Sequence, residues 1–127
     1  MPAMIRITVV TLLFLAIARP VLAAPPVHGK DVLTAVMAGE FALQAGQLPE
    51  ASRWYLEAAR AEDDAGLAER ATRIAMLANE DARATEALGL WRQRAPQSLA
   101  MRGAEAALAL RKGNAKVARR ELQALMS

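Results

Sequence analysis

Residues 42–58 read ALQAGQLPEASRWYLEA, and the same skeleton returns as AMLANEDARATEALGLW at 75–91 and as ALRKGNAKVARRELQAL at 109–125. Each segment has alanine at its first and tenth positions, glycine or asparagine at its fifth and a large residue at its fourteenth. The copies follow one another at steps of 33 and 34 residues. A period in the low thirties built from helical segments is typical of helix–turn–helix repeats, which bury their core by stacking. The sequence therefore predicts an all-α solenoid of about three antiparallel helix pairs.

The fifth position of each segment predicts where a helix ends. Glycine adopts the left-handed backbone conformation freely, and asparagine is its best substitute. Gly46, Asn79 and Gly113 are therefore predicted to close their helices in one backbone conformation. We predict six helices, which end at Ala45, about Ala61, Ala78, Arg94, Lys112 and Met126.

The matched alanines predict where neighbouring helices touch. A methyl side chain lets two backbones approach closely, and a larger residue one turn later fills the remaining gap. The residues predicted to act as fillers are Tyr55, Leu88 and Leu122.

The first residues have the composition of an export signal. Arg6 precedes an apolar run over 7–18, Pro20 breaks the helix, and Val-Leu-Ala at 21–23 matches the positions that a signal peptidase reads. We predict a signal peptide over residues 1–23, cleaved after Ala23 or, as second choice, Ala24, then a Pro/Gly spacer over 24–30 and a periplasmic location. The alternative is an uncleaved membrane anchor, although Arg19 interrupts the apolar run short of the roughly 20 residues that span a bilayer.

Removing that signal changes the charge of the chain. Arg6 and Arg19 leave with it, so the formal net charge falls from +3 to +1. Nucleic acid is therefore not an expected partner, and a membrane is expected only through an uncleaved signal segment. From residue 92 onward, eight cationic side chains face only Glu105 and Glu121. This basic third indicates an acidic partner, anionic lipid, or simply the solvated face of amphipathic helices.

The chain offers few residues for catalysis or metal binding. It has no cysteine, and its single histidine, His28, lies in the spacer. The acidic residues at 62–64 lack the spacing of a calcium loop, and the serines have no histidine to activate them. The glycines fall singly at turns rather than in a phosphate-binding loop. We therefore expect no enzymatic activity, no metal and no cofactor.

These units resemble the tetratricopeptide repeat family, whose unit has about 34 residues. The first unit, residues 32–65, has the family's characteristic residues at Gly39, Gly46, Leu48, Ala51, Tyr55 and Ala58. Further units cover 66–98 and 99–127, the last incomplete. The chain departs from the family at Trp91, where alanine is usual, and at Asp63, where proline is usual.

A narrower resemblance rests on residues 69–75, ERATRIA, followed by Leu90-Trp91 and Ala95-Pro96. This string looks like the opening of exported proteobacterial members of the family, some of which are adaptors for a periplasmic carboxyl-terminal processing protease. The resemblance implies a scaffold that mediates protein–protein interaction in the periplasm or cell envelope. The alternatives are a protease adaptor and a structural or oligomerisation module of an envelope assembly.

In that family the first helix of each unit lines a groove that holds a protein or peptide partner. The resemblance places the following residues in the groove: Leu33, Val36, Glu40, Leu43, Glu69, Arg73, Met76, Ala107 and Leu110. This surface is largely apolar and lacks the family's lysine- and asparagine-rich clamp for a terminal carboxylate. We therefore expect an apolar helix or extended segment as the partner. The alternative is that Leu33, Val36 and Met76 simply pack against neighbouring helices.

The predicted last helix has an uncovered apolar edge, formed by Val117, Leu122, Leu125 and Met126. Repeat stacks need a closing element with a polar outer face. The edge therefore predicts either a homodimer formed through the C-terminal helix or a truncated relative of a longer array.

Overall fold

The computed structural model describes residues 30–127, and this part of the chain is helical throughout apart from short turns. Its helices are α1 (Lys30–Gln44), α2 (Leu48–Ala61), α3 (Ala65–Leu77), α4 (Asp81–Arg94), α5 (Leu99–Arg111) and α6 (Ala115–Met126). Each helix ends within one residue of its predicted end. The predicted signal peptide and spacer residues 24–29 lie outside the described residues.

Short polar side chains begin the first helix of the second and third pairs. The Asp64 carboxylate accepts the N–H groups of Gly66 and Leu67 at 2.7 and 3.3 Å. The Ser98 hydroxyl accepts the N–H of Met101 at 3.1 Å. Such caps satisfy backbone donors that the first turn of a helix leaves unpaired. The acidic turn before α3 therefore has a structural role as a helix cap.

The turn inside each helix pair has the same geometry in all three pairs. Gly46, Asn79 and Gly113 have φ values of 72°, 56° and 76°. The N–H of the following residue bonds back to the aligned alanine carbonyl, at 2.8 Å for Gln47 to Ala42, 2.9 Å for Glu80 to Ala75 and 2.7 Å for Asn114 to Ala109. This hydrogen bond is the mark of the Schellman motif. The predicted backbone match is confirmed, including asparagine in place of glycine.

Neighbouring helices pack in pairs, α1 with α2, α3 with α4 and α5 with α6. Successive pairs then stack, because α3 also contacts α2, α5 contacts α4, α4 contacts α2 and α5 contacts α3. The aligned alanines Ala51, Ala84 and Ala118 are buried, as close approach of the helices requires. Residues 30–127 therefore form the predicted all-helical stack of three pairs.

The predicted fillers are buried in the first two pairs and partly exposed in the third. Tyr55 and Leu88 lie in the core. Tyr55 packs so closely on Gly39 of α1 that a Cβ atom there would lie 2.6 Å from its Cε2. Leu122 is 44% exposed, because α5 is the only helix of the described chain that α6 contacts. The prediction that Leu122 fills a gap is therefore wrong for this part of the chain.

The third pair is attached less closely than the second. The contact between α4 and α5 is smaller than that between α2 and α3, and within residues 30–127 nothing joins α6 to α4. Trp91 of α4 stands where α2 has Ala58, and its buried ring shares a core cluster with Met101 of α5. An indole needs far more volume than a methyl group, which accounts for the smaller contact between the backbones of α4 and α5.

The described helices are also short. No helix within residues 30–127 combines the length and hydropathy that crossing a membrane requires.

Candidate functional site

The predicted groove residues lie on α1, α3 and α5, and we call the surface that they form the first-helix surface. Four of them are exposed, namely Leu33, Arg73, Ala107 and Leu110. The apolar members of this exposed set lie on α1 and α5, and Arg73 lies on α3 between them in chain order. These side chains are free to contact a partner.

Three other predicted residues are half buried and belong largely to the core. Val36 packs against two core clusters, one shared by α1 to α4 and one formed around Val32, Ala35 and Ala58. Leu43 packs against the first of these clusters, and Met76 packs against the cluster around Leu88 and Trp91. The alternative interpretation, packing between helices, therefore describes Val36 and Met76 better than it describes the exposed Leu33.

Glu40, predicted as an isolated polar point of the groove, is held by two other helices. The Tyr55 hydroxyl and the Arg70 guanidinium both donate to its Oε1 atom. These hydrogen bonds, the one from Tyr55 above all, hold the pKa of Glu40 below its usual value of 4.5. Burial, and then the nearby Glu40 carboxylate, raise the pKa of Tyr55. Glu40 thus joins α1 to α2 and α3.

Glu69 and Arg73 form the second polar feature of the first-helix surface. They lie one turn apart on α3, and Arg73 Nη2 donates to Glu69 Oε1 at 2.8 Å. The Arg73 guanidinium also lies 5.9 Å from the centroid of the Trp91 ring, within the range of a cation–π interaction. Arg73 is therefore oriented by two neighbours while its charged group faces solvent.

Sequence reasoning did not locate a cleft between α4, α5 and α6. It has a volume of about 460 Å³ and is lined by Arg92, Pro96, Met101, Arg102, Glu105, Arg120 and Glu121. Arg92 pairs with Glu105, and Arg120 pairs with Glu121 at 3.2 Å. Two signals in the sequence point to this region, the excess of cations after residue 92 and the large Trp91 at a position where alanine is usual. The cleft itself arises because α6 does not reach α4.

In the part of the chain that the structure covers, no three His, Cys, Asp or Glu side chains converge to hold a metal ion. His28 lies outside the described residues. The chain matches no protein-family model and no curated protein.

Proposed function

We propose that this chain is an exported helical-repeat scaffold that binds another protein through its first-helix surface. The observation that carries the proposal is the exposure of two large apolar side chains there, Leu33 at 65% and Leu110 at 57%. Burying one such side chain against a partner contributes about 1.5–3 kcal/mol. The resemblance to tetratricopeptide repeats and the signal-like residues 1–23 support the binding role and the periplasmic location.

The partner segment is an apolar helix or an extended apolar strand. Apolar contacts to Leu33, Ala107 and Leu110 provide most of the affinity, and the exposed guanidinium of Arg73 orients a carboxylate or carbonyl group of the partner. Two narrower roles are compatible with this surface. One is an adaptor for a periplasmic processing protease, and the other is a structural module of an envelope assembly.

Site-specific crosslinking tests the proposal. A photoreactive amino acid replaces Leu110 on the first-helix surface and, as a matched control, replaces the exposed Gln93 on α4. In envelope extract we expect crosslinked partners at position 110 and none shared with position 93. The double variant Leu33→Asp and Leu110→Asp should remove capture of the same partners while the helical signal in circular dichroism stays unchanged. Equal labelling from both positions would refute the assignment of the surface.

The identity of the crosslinked partners separates the three roles. A single protease identifies an adaptor, several unrelated proteins identify a general scaffold, and crosslinks only to other copies of this chain identify a structural module. Mass spectrometry of the same material tests export, since a chain that begins at Pro25 or Ala24 shows cleavage near the predicted site.

A further inference from the structure

The repeat register shows that α1 has a face built for packing against another helix. Phe41, Ile74 and Leu108 are equivalent, because each precedes the aligned alanine that begins a repeated segment. Ile74 and Leu108 are 5% and 3% exposed, whereas Phe41 is 64% exposed. Met37, one turn earlier on α1, is also exposed. Phe41 therefore occupies an internal packing position without an internal packing neighbour among the described residues.

The two buried equivalents identify what normally covers this position. Ile74 shares a core cluster with Tyr55, Leu56 and Ala59 of α2, the second helix of the preceding pair. Leu108 shares one with Leu88 and Trp91 of α4. In both cases the second helix of one pair covers the first helix of the next. The element that fits Phe41 is therefore a second helix of the same repeat.

The same register identifies a helix within residues 30–127 whose equivalent face is uncovered there. The counterparts of Tyr55, Leu56 and Ala59 on α6 are Leu122, Gln123 and Met126. Leu122 is 44% exposed and Met126 is 82% exposed. Residues 30–127 thus contain both sides of one inter-pair contact, at opposite ends of the stack, and neither side is occupied there.

The net charge is negative in the first two pairs and positive in the third, which favours contact between opposite ends of two copies. Residues 30–91 have eleven carboxylates, one lysine and five arginines, a net charge of −5, and residues 92–127 have eight cations and two carboxylates, a net charge of +6. On α6, Lys116 and Arg119 make no ion pair with any described residue. The basic end of one copy therefore attracts the acidic end of another. Two basic ends repel each other, which opposes a symmetric contact of α6 with α6.

From the register and the charge separation, we propose that copies of this chain associate head to tail, with α6 of one copy covering the Met37–Phe41 face of α1 in the next. The contact repeats the way α2 covers α3 within the chain. A heterologous contact of this kind leaves one free face at each end, so it continues into longer assemblies as concentration rises. It is an alternative to the sequence-based expectation of a homodimer formed through the C-terminal helix.

Two variants of the full chain test this contact. One blocks the face on α1 and the other blocks the face on α6, and each uses substitutions at exposed positions. The α1-blocked variant combines Met37→Lys and Phe41→Lys, and the α6-blocked variant combines Gln123→Lys and Met126→Lys. For the wild type we expect a weight-average mass in sedimentation velocity that rises with concentration and falls when salt is raised. Each variant alone should remain a monomer. An equimolar mixture should stop at about twice the chain mass, because only one wild-type contact can form.

Each other result overturns the proposal. An α1-blocked variant that still dimerises alone indicates a symmetric contact through α6. A wild type that stays monomeric at every concentration shows that α6 does not bind the Phe41 face of another copy, and association that persists in both variants comes from another surface. Circular dichroism verifies that both variants keep their helices. Both also leave Leu33 and Arg73 of the first-helix surface unchanged, so introducing the photoreactive residue at position 110 of each variant distinguishes failure of this assembly from failure of partner binding.

Discussion

At the scale of single residues, the contact between Gly39 and Tyr55 makes the clearest prediction. The ring of Tyr55 is fully buried and cannot retreat from a new methyl group at position 39, which would lie 2.6 Å from it. We expect Gly39→Ala to lower the free energy of unfolding by about 1–3 kcal/mol. Gly89→Ala is the matched control, since nothing lies within 4 Å of a Cβ atom at that helical position. There the better helix propensity of alanine should raise stability by about 0.5–1 kcal/mol. Urea denaturation followed by circular dichroism measures both, and equal effects of the two substitutions would refute the argument.

Substitutions of Asn79 test whether the repeated turn depends on a residue that adopts the left-handed backbone conformation. Its φ of 56° is the left-handed conformation that glycine occupies in the other two turns. We expect Asn79→Ala to cost about 1 kcal/mol of stability and Asn79→Gly to cost less. Both variants lose the side-chain oxygen that faces Arg111 at 3.5 Å, so the difference between them reports the backbone alone. Thermal unfolding of the two variants measures this difference in stability. An alanine variant as stable as the glycine variant would contradict the backbone argument.

Glu40 should make stability depend on pH. Hydrogen bonds from Tyr55 and then Arg70 lower its pKa from the ordinary 4.5, so folding favours the ionised carboxylate. The stability from this group is complete above the unfolded-state pKa and is lost as pH falls through the lower folded-state value. We expect the loss of stability caused by Glu40→Gln to be largest near neutral pH and to shrink below about pH 4. Urea titrations of both proteins across this range measure it, and a difference independent of pH would exclude the carboxylate as its source.

The sequence predicts the turns at this scale and fails to predict the partners of Glu40. A Schellman turn depends on one left-handed residue and its immediate neighbours, so Gly46 and Asn79 reveal it directly. The environment of Glu40 depends on Tyr55 and Arg70, which lie 15 and 30 residues away and meet it only after the helices have stacked. Periodicity predicts on which side of α1 the Glu40 side chain lies, but it does not predict which side chains of other helices contact it.

At the scale of helices, arginines from later helices bond to the ends of earlier ones. Arg94 of α4 donates to the Ala59 carbonyl at 2.6 Å, near the end of α2, and to the Asp64 carbonyl at 3.1 Å. Arg111 of α5 donates to the Met76 carbonyl at 2.8 Å, near the end of α3. The last carbonyls of a helix have no partner within it and carry partial negative charge. These arginines therefore join consecutive pairs and cap their helices together.

Arg94→Met tests this role while keeping an unbranched side chain that can pack. We expect a loss of about 1–3 kcal/mol, because the carbonyls of Ala59 and Asp64 lose a charged donor. The ion pair of Arg94 with Asp63 at 3.1 Å is lost as well, but it adds little because that carboxylate is exposed. Arg53→Met is the control, since Arg53 is exposed and its contacts lie within its own helix. Its ion pair with Glu50, one turn away, contributes about 0.2–0.5 kcal/mol, and its guanidinium, 4.4 Å from the centroid of the Trp54 ring, adds about 0.5–1 kcal/mol at such an exposed site. Chemical denaturation gives both values. Equal losses would show that the backbone contacts of Arg94 add nothing.

The element scale also shows why the cleft was missed. All six helices and their order follow from local pattern, because period and turn residues are visible in the chain. How far α5 stands from α4 depends on the volume of Trp91 packed beside Met101, and a repeat alignment treats that position as equivalent to Ala58. The sequence does not predict the exposure of Leu122 either. Periodicity places Leu122 on the apolar face of α6, but it does not tell whether another helix covers that face.

At the scale of the whole molecule, the packing is graded along the stack. One core cluster includes residues from α1, α2, α3 and α4, whereas α6 contacts only α5 in the described chain and buries just Ala118 and Glu121. In repeat stacks each unit is stabilised by its own helices and its nearest neighbours. The third pair, which buries fewer residues on α6 and has the smaller contact with its neighbouring pair, therefore opens first.

Hydrogen exchange measures this gradient directly, because amide protection reports the free energy of local opening. We expect the amides of α2, residues 48–61, to be protected most and those of α6, residues 115–126, to exchange fastest. The measurement uses the α1-blocked variant, which removes the proposed assembly but leaves α6 unchanged. In the wild type, raising the concentration should then slow exchange in α6 and near Phe41 without changing α2. Uniform exchange along the stack would show that the three pairs unfold as one unit, and slowing confined to α6 would show that α1 is not its partner.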